Sequence, residues 1–409
     1  MKIIHTADIH LGQVIYQNYE RCDEHRYYFQ QLEQWCRQEA PDALVVSGDI
    51  FDIQQPSAAT WKTFTDNFVS LHEANPGMAI VIVAGNHDSP SRIQSNHAVW
   101  RLAGVRLVGN PPPADYYCRE GWQEAFIVRL QAGYIVCLPF MTGERTAMIQ
   151  ELLDYVDNEN RESKPVVMTG HLTVAGSDTT GHDFDIGRVK AQDIGSLGKG
   201  YDYLALGHIH KPQTIGHEND SMAPDVTYPA PQVRYAGSAV HVSCDEAYPH
   251  TVSMVEIHRH GGDVRIRQLR IHQLRHFYNL PLHGEPYHQA EEALADLRAF
   301  TINNKSGYLR LRFDKGAVLP SDFNQMVYAI LEPFGGELRY NPKIIWEGAE
   351  ENDTETTDKP KFEVAELQQM TDPLVFIERT KEKYPNLSMD EIREAFAEIE
   401  EEIRLMGEQ

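Results

Sequence analysis

A chain of 409 residues, 42% hydrophobic and 24% charged, is long enough for two or three domains around a sizeable core. Its formal net charge of −23 argues against a nucleic-acid binder held by general positive charge, and no apolar run is long enough to span a bilayer. Five cysteines without a CxxC pair argue against a disulfide framework or a zinc ribbon. With no secretory signal ahead of "KIIHTADIH", the expected compartment is the cytoplasm.

The apolar runs "KIIHT", "ALVVS", "AIVIVA", "YIVCLP", "PVVMTG" and "YLALG" read as buried strands. Stretches at 21–39, 57–74 and 90–103 suit helices between them, so the sequence predicts an α/β fold, a layered sandwich of mixed β-sheets flanked by helices. Segment 212–235, rich in Pro, Gly, Asn and Asp, reads as a long loop, and "TVSMVEIHRHGGDVRIRQLRI" as a hairpin turning at Gly261-Gly262. After a main domain over 1–270 the texture changes: "YHQAEEALADLRAFTIN", "GYLRLRF" and "FNQMVYAILEPFG" predict a small α+β capping domain over 275–345. Residues 347–361 form an acidic, polar linker. Beyond it Asp372-Pro373 opens one helix, and a capping box of Ser388 and Glu391 opens a second. Ile392, Phe396, Ile399, Ile403 and Met406 share one face of that second helix, so residues 371–409 are expected to dock on a partner helix or coiled coil, the alternative being to fold back onto the chain's own domain.

The strand ends carry the chemistry. "KIIHTADIH" delivers Asp8 and His10, "ALVVSGDIFD" delivers Asp49 and Asp52, and "AIVIVAGNHD" delivers Asn86 and His87. "PVVMTGH" delivers His171, and "YLALGHIH" delivers His208 and His210. Side chains two apart in extended chain point the same way, and open α/β sheets bind ligands beyond the carboxyl ends of their strands. Imidazole and carboxylate without thiolate suit manganese, iron or zinc. Seven such groups exceed the needs of one tetrahedral ion and fit a pair of ions about 3.5–4 Å apart with a shared carboxylate. Asp49, leaving its strand through a glycine, is the expected bridge. His5, His25, His72, His97 and His241 follow no such pattern and read as structural or surface residues.

Together D-x-H, G-D-x-x-D, G-N-H-D, G-H and G-H-x-H resemble the calcineurin-like metallophosphoesterase signature. "HTADIHLG", "GDIFDIQQPS", "GHIHKPQ" and "RYAGSAVHVSCDE" are similar, within that superfamily, to the nuclease subunits of bacterial SbcCD complexes. Ala7, Ala236 and Ala239 stand where Ser, Ser and Pro are more usual, all outside the ligand positions. The resemblance implies a metallophosphoesterase sandwich with one ion on Asp8, His10, Asp49 and His210. A second ion would be held by Asp49, Asn86, His171 and His208, and both would most often be manganese. It implies catalytic roles for His87, beside the departing oxygen, and for Asp52, orienting Asp49.

The resemblance further implies a DNA exo- and endonuclease acting at ends or hairpins in repair and recombination. Such a nuclease is a homodimer and works with an SbcC-type ATPase, whose coiled-coil base would receive Ile392, Phe396, Ile399 and Ile403. No GxxxxGK[ST] loop occurs, so any ATP is handled by another chain. The alternative is a stand-alone small-molecule or cyclic-nucleotide metallophosphodiesterase, which has no need of the residues beyond the catalytic domain. Arg310 and Arg312, on one face of "YLRLRF", are expected to touch DNA phosphates. For dimerisation the expected elements are helices 57–74 and 90–103 with Trp61, Phe64 and Trp100.

Overall fold

Two sheets stacked face to face bury the apolar runs. The computed structural model describes residues 1–347 apart from 17, 114, 144, 181–190, 218–224 and 247. The linker and C-terminal helices expected over 348–409, with Ile392, Phe396, Ile399 and Ile403, lie outside the described residues.

The first sheet has seven strands in the order Asp225–Pro229, Asp263–Arg270, Thr251–Ile257, Lys2–Thr6, Ala43–Ser47, Ala79–Val83, Val105–Val108. Its last four strands run parallel, so their carboxyl ends share one edge. The second sheet has six, in the order Gln213–Thr214, Gln232–Tyr235, Tyr203–Gly207, Val166–His171, Gly133–Leu138, Ile127–Leu130. Its four middle strands are again parallel.

The period-two alternation of the strands explains the layering. Ile3, Ala43, Val45, Val81 and Val83 face the second sheet and share a core with Ile135, Cys137, Val167, Leu204 and Leu206. Their neighbours Ile4, Leu44, Val46, Ile80 and Ile82 face outwards against helices Cys22–Glu39 and Ala58–Ala74, through Tyr28, Phe29, Leu32, Phe64, Phe68 and Leu71. Near the shared edge the sheets are tied directly: Ser47 Oγ lies 2.8 Å from Thr169 Oγ1 and 3.1 Å from the Ala205 carbonyl.

Residues 277–347 build their own parallel sheet from Phe277–Leu280, Gly307–Asp314, Leu338–Tyr340 and Ile345–Glu347. Helices Ala290–Asn303 and Phe323–Leu331 accompany it, around a separate core of Leu280, Leu294, Leu297, Leu309, Leu311, Phe313, Phe323 and Val327. Residues 1–347 nevertheless form one compact unit. A buried ionic junction joins the two parts. Glu24 takes Arg21, the Tyr308 hydroxyl and Arg339, while Arg275 reaches Asp23 at 2.6 Å and Glu337 at 2.7 Å.

Two local expectations change. Segment 212–235 is not all loop, because Asp225–Pro229 extends the first sheet as an edge strand and Gln232–Tyr235 lies inside the second. The helix expected over 90–103 breaks at Asn96 into Pro90–Ser95 and His97–Leu102.

Candidate metal centre

The ligand side chains leave the chain just past the parallel strand ends, and the backbone there is unusual. Asp8, His10 and Asp49 have φ of 50°, 50° and 47°, and His208 has 96°. Asp and His tolerate the left-handed region better than most residues, yet each such position costs about 1–3 kcal/mol. Two glycines make the crowding possible. A Cβ on Gly85 would stand 2.1 Å from Asp49 Oδ1, and one on Gly48 would stand 2.3 Å from His171 Nδ1.

The side chains converge from both sheets. Asp8, His10 and His210 each offer an atom within 4.8 Å of the others, as do Asp8, Asp49 and His171. Asn86 Oδ1 lies 2.9 Å from His171 Nε2 and 3.0 Å from His208 Nδ1. His171 Nε2 is also 3.2 Å from Asp49 Oδ2. The seven residues expected as ligands thus meet at one place, with Asp49 between the two groups.

The donor set fits divalent cations. His171 donates from Nδ1 to the Ser47 carbonyl at 2.8 Å, which puts the lone pair of the neutral ring on Nε2, facing the Asn86 and Asp49 oxygens. Electron-rich atoms so arranged require a cation between them, a proton or a metal ion. His10 Nε2 is buried without a hydrogen-bond partner among the described residues. Residues Asp8, His10, Asp49 and His210 would hold one ion, and Asp49, Asn86, His171 and His208 the other. When bound, such ions supply Lewis acidity toward a phosphodiester and neutralise the buried carboxylates.

The titrating groups register the same crowding. Burial, opposed mainly by His171, raises the Asp8 carboxyl to about 7. Burial also works against a charged His171, but the Asp49 and Asp8 carboxylates prevail and push its imidazolium up to about 9. For Asp49 the burial cost is outweighed by His171 and His10, so its carboxyl stays well below the usual range. His210 is held neutral, by burial first and by the neighbouring His10 second.

Around this core, His87 donates from Nδ1 to the Asp52 carbonyl at 2.8 Å, and its ring stands 5.0 Å from that of His10. The Asp52 carboxylate lies 3.3 Å from His10 Nδ1, so its geometry orients His10 rather than Asp49, whose Oδ1 instead accepts from the His87 backbone N–H at 2.8 Å. Two residues inside the quoted motifs have no role in the sequence reading. Asp88 accepts from the backbone N–H groups of Ile50, Phe51 and Gly85, stitching two ligand loops together. Glu246 meets His210 Nδ1 at 2.8 Å. Asp88 closes the G-N-H-D motif and Glu246 the "RYAGSAVHVSCDE" stretch, but nothing in either run of residues says what the carboxylate will meet.

The arginines expected at DNA are engaged within the protein. Arg310 donates to Asn279 and Asp245, both at 2.9 Å, and Arg312 reaches Glu347 at 3.2 Å and the Pro281 carbonyl at 2.8 Å. Both side chains stay half-buried on that face, with their charges paired inside the protein. Trp61, Phe64 and Trp100 likewise belong to the outer core of the first sheet: Phe64 is fully buried, and its ring lies 5.3 Å from that of Trp100.

The SbcD protein of the Rhodobacter capsulatus SbcCD nuclease is 27% identical over 354 residues, covering 77% of this chain and 81% of that protein. Its Bacillus subtilis counterpart is 26% identical over 272 residues, covering 63% of this chain and 66% of that one. The SbcD protein of Escherichia coli K12 is 27% identical over 282 residues, covering 62% of this chain and 65% of that protein. The chain therefore spans slightly under two thirds of the length of the last two relatives. A family model described as calcineurin-like phosphoesterase matches residues 1–212, the segment that supplies every residue of the converging cluster, and this chain belongs to the calcineurin-like phosphoesterase family.

Proposed function

We propose that this chain is the nuclease component of an SbcCD-type complex, hydrolysing DNA phosphodiesters at ends or hairpins with two divalent ions, manganese foremost. The convergence of Asp8, His10, Asp49, Asn86, His171, His208 and His210 from two sheet edges carries the phosphodiesterase part of this reading. The similarity to the Rhodobacter protein carries the nuclease part. It takes in 77% of the chain, more than the 212 residues of the catalytic family, and so reaches into the segment that a stand-alone phosphodiesterase would not need.

In this reading the chain's own residues divide the work. His87, anchored through Nδ1, acts as a protonated imidazole: its Nε2–H donates to the leaving oxygen and stabilises the charge developing there. Asp52 fixes both the His87 ring, through its carbonyl, and the His10 ring, through its carboxylate. The partners are DNA, an SbcC-type ATPase docked by residues 371–409, and a second copy of the chain, all in the cytoplasm. Val69, Val99 and Leu102 support the dimer: they stand exposed, Val69 on helix Ala58–Ala74, whose opposite face buries Phe64, Phe68 and Leu71, and the other two on the short helix His97–Leu102.

The test is the purified chain with manganese, given a DNA hairpin and bis-p-nitrophenyl phosphate, with and without the partner ATPase. Metal-dependent cutting of both substrates, with ATP-stimulated DNA cleavage only in the complex, is the expected result. Hydrolysis of the small diester without any cutting of DNA in the complex would leave the stand-alone phosphodiesterase instead.

A further inference from the structure

The loop between strands Gln232–Tyr235 and Thr251–Ile257 folds a carboxylate under the metal centre. Glu246 is 2% exposed, and both its oxygens are taken. Oε1 lies 2.8 Å from His210 Nδ1, and Oε2 accepts from Ser238 Oγ and the Val242 backbone N–H, each at 3.0 Å. His250 Nε2 approaches Oε2 at 3.5 Å, and the His250 ring is itself held by Ser238. Three groups around this carboxylate, His210 Nδ1, Ser238 Oγ and the Val242 backbone N–H, stand at hydrogen-bond distance.

That arrangement has a directional consequence. A carboxylate accepts only, so the proton between it and His210 belongs to Nδ1 and the imidazole lone pair to Nε2. The partial negative charge passed through the ring makes that nitrogen more basic toward a cation. The other imidazoles of the centre are held differently. His171 has a neutral carbonyl, that of Ser47, behind its ring, and His10 faces the partly exposed carboxylate of Asp52 at 3.3 Å. Of His10, His171 and His210, it is His210 whose Nδ1 meets a fully buried carboxylate at hydrogen-bond distance.

We propose that Glu246 is a positioning residue that fixes the Nδ1–H tautomer and orientation of His210, and so selectively strengthens the ion site formed by Asp8, His10, Asp49 and His210. The proposal rests on the two-ion reading for its affinity consequence, but the tautomer consequence belongs to the metal-free protein.

The experiment has two arms on the full chain. In the first, nitrogen-resolved NMR of the histidine rings in chelator reads the tautomer of His210 in the wild type and in Glu246→Gln. A glutamine there must turn its amide N–H₂ toward either His210 or Val242, so the Nδ1–H form is expected to lose its dominance. An unchanged tautomer overturns the proposal. In the second, competition with a chromophoric chelator reads manganese affinity. Glu246→Gln is expected to weaken one of the two sites by about 10–100-fold, leave the other in place, and cost nothing further in a His210→Ala background. Equal weakening of both sites, or an undiminished cost without His210, would make Glu246 a loop buttress instead. Ser238→Ala keeps the carboxylate–imidazole bond while loosening the loop. It is expected to weaken manganese far less than Glu246→Gln, and an equal loss would also overturn the proposal. A wild type that binds no second ion would remove the two-ion reading while the NMR arm still decides the tautomer claim.

Discussion

His87 stands next to the ligands without being one. Its Nδ1 is committed to the Asp52 carbonyl and its backbone N–H to Asp49 Oδ1, so the residue is fixed at both ends. Truncating the ring leaves the backbone donor to Asp49 in place, and His87→Ala is expected to keep both ions while its rate falls by roughly 10²–10⁴-fold. Elemental analysis beside a diester assay checks both halves, and loss of metal would make His87 a ligand. At this scale the sequence was most legible where a residue ends a strand. Asp8, His10, Asp49, Asn86, His171, His208 and His210 all obey that rule because parallel strands aim their ends at one edge. Asp88 and Glu246 were not legible, since their roles depend on where loops fold back rather than on any period. Asp52 was legible as a site residue but not in its target, because a separation of three residues past a tight exit does not say which ring the side chain will meet.

Three loops carry the ligands of the first sheet, 7–10, 48–52 and 85–88, and one side chain holds the last two together. The Asp88 carboxylate takes backbone N–H groups of Ile50, Phe51 and Gly85 at 2.8 to 3.2 Å, and burial, then the nearby Asp49, raises its pKa to about 6. Asp88→Ala strands three buried donors at once, each costing on the order of 1–3 kcal/mol. The variant is expected to lose about 3 kcal/mol or more in urea melts performed in chelator, and to bind manganese more weakly than the wild type. Undiminished stability would show that the loops hold without the carboxylate. Among the elements themselves, the strands "KIIHT", "ALVVS", "AIVIV" and "YLALG" and the hairpin at Gly261 were readable from alternation and turn chemistry. The strand Asp225–Pro229 was not, because an edge strand with alternating burial and a loop rich in Pro and Asp look alike in composition. Arg310 and Arg312 mark the same boundary: alternation placed them on one face, and only the fold shows that Asn279, Asp245 and Glu347 engage them.

Across the whole molecule, acid is the natural stress. His5, on strand Lys2–Thr6, is buried between the two sheets beside Tyr203 with its pKa lowered to about 3, by burial and then Arg234, and His25 is lowered to about 4 by burial and then Arg21. Both fold as neutral rings but protonate near the ordinary value of 6.5 once unfolded, so between that value and their folded values the unfolded chain binds more protons. Their stabilising contribution is therefore complete above pH 6.5 and is lost as the pH falls, at up to about 1.4 kcal/mol per pH unit for each ring. His25→Gln keeps an N–H for the Ile9 carbonyl but cannot titrate. Urea melts in chelator from pH 7.5 down to 5 are expected to fall less steeply for that variant than for the wild type, and parallel slopes would assign the acid loss elsewhere.

The division of the ligands between the two sheets also bears on how the chain is made. Asp8, His10, Asp49 and Asn86 are synthesised with the first four strands, whose sheet is completed only by residues 225–270, whereas His171, His208 and His210 arrive with the second sheet. A nascent chain that has folded its first four strands already exposes two carboxylates and one imidazole destined for burial, but lacks the partners for either ion. It becomes able to cut only when Tyr203–Gly207 has slotted beside Val166–His171 and brought His208 against Asn86. On the function proposed above, a hydrolase built in this way is silent in every unfinished or half-opened form, because closure of the sandwich and assembly of the proposed ion sites are a single event.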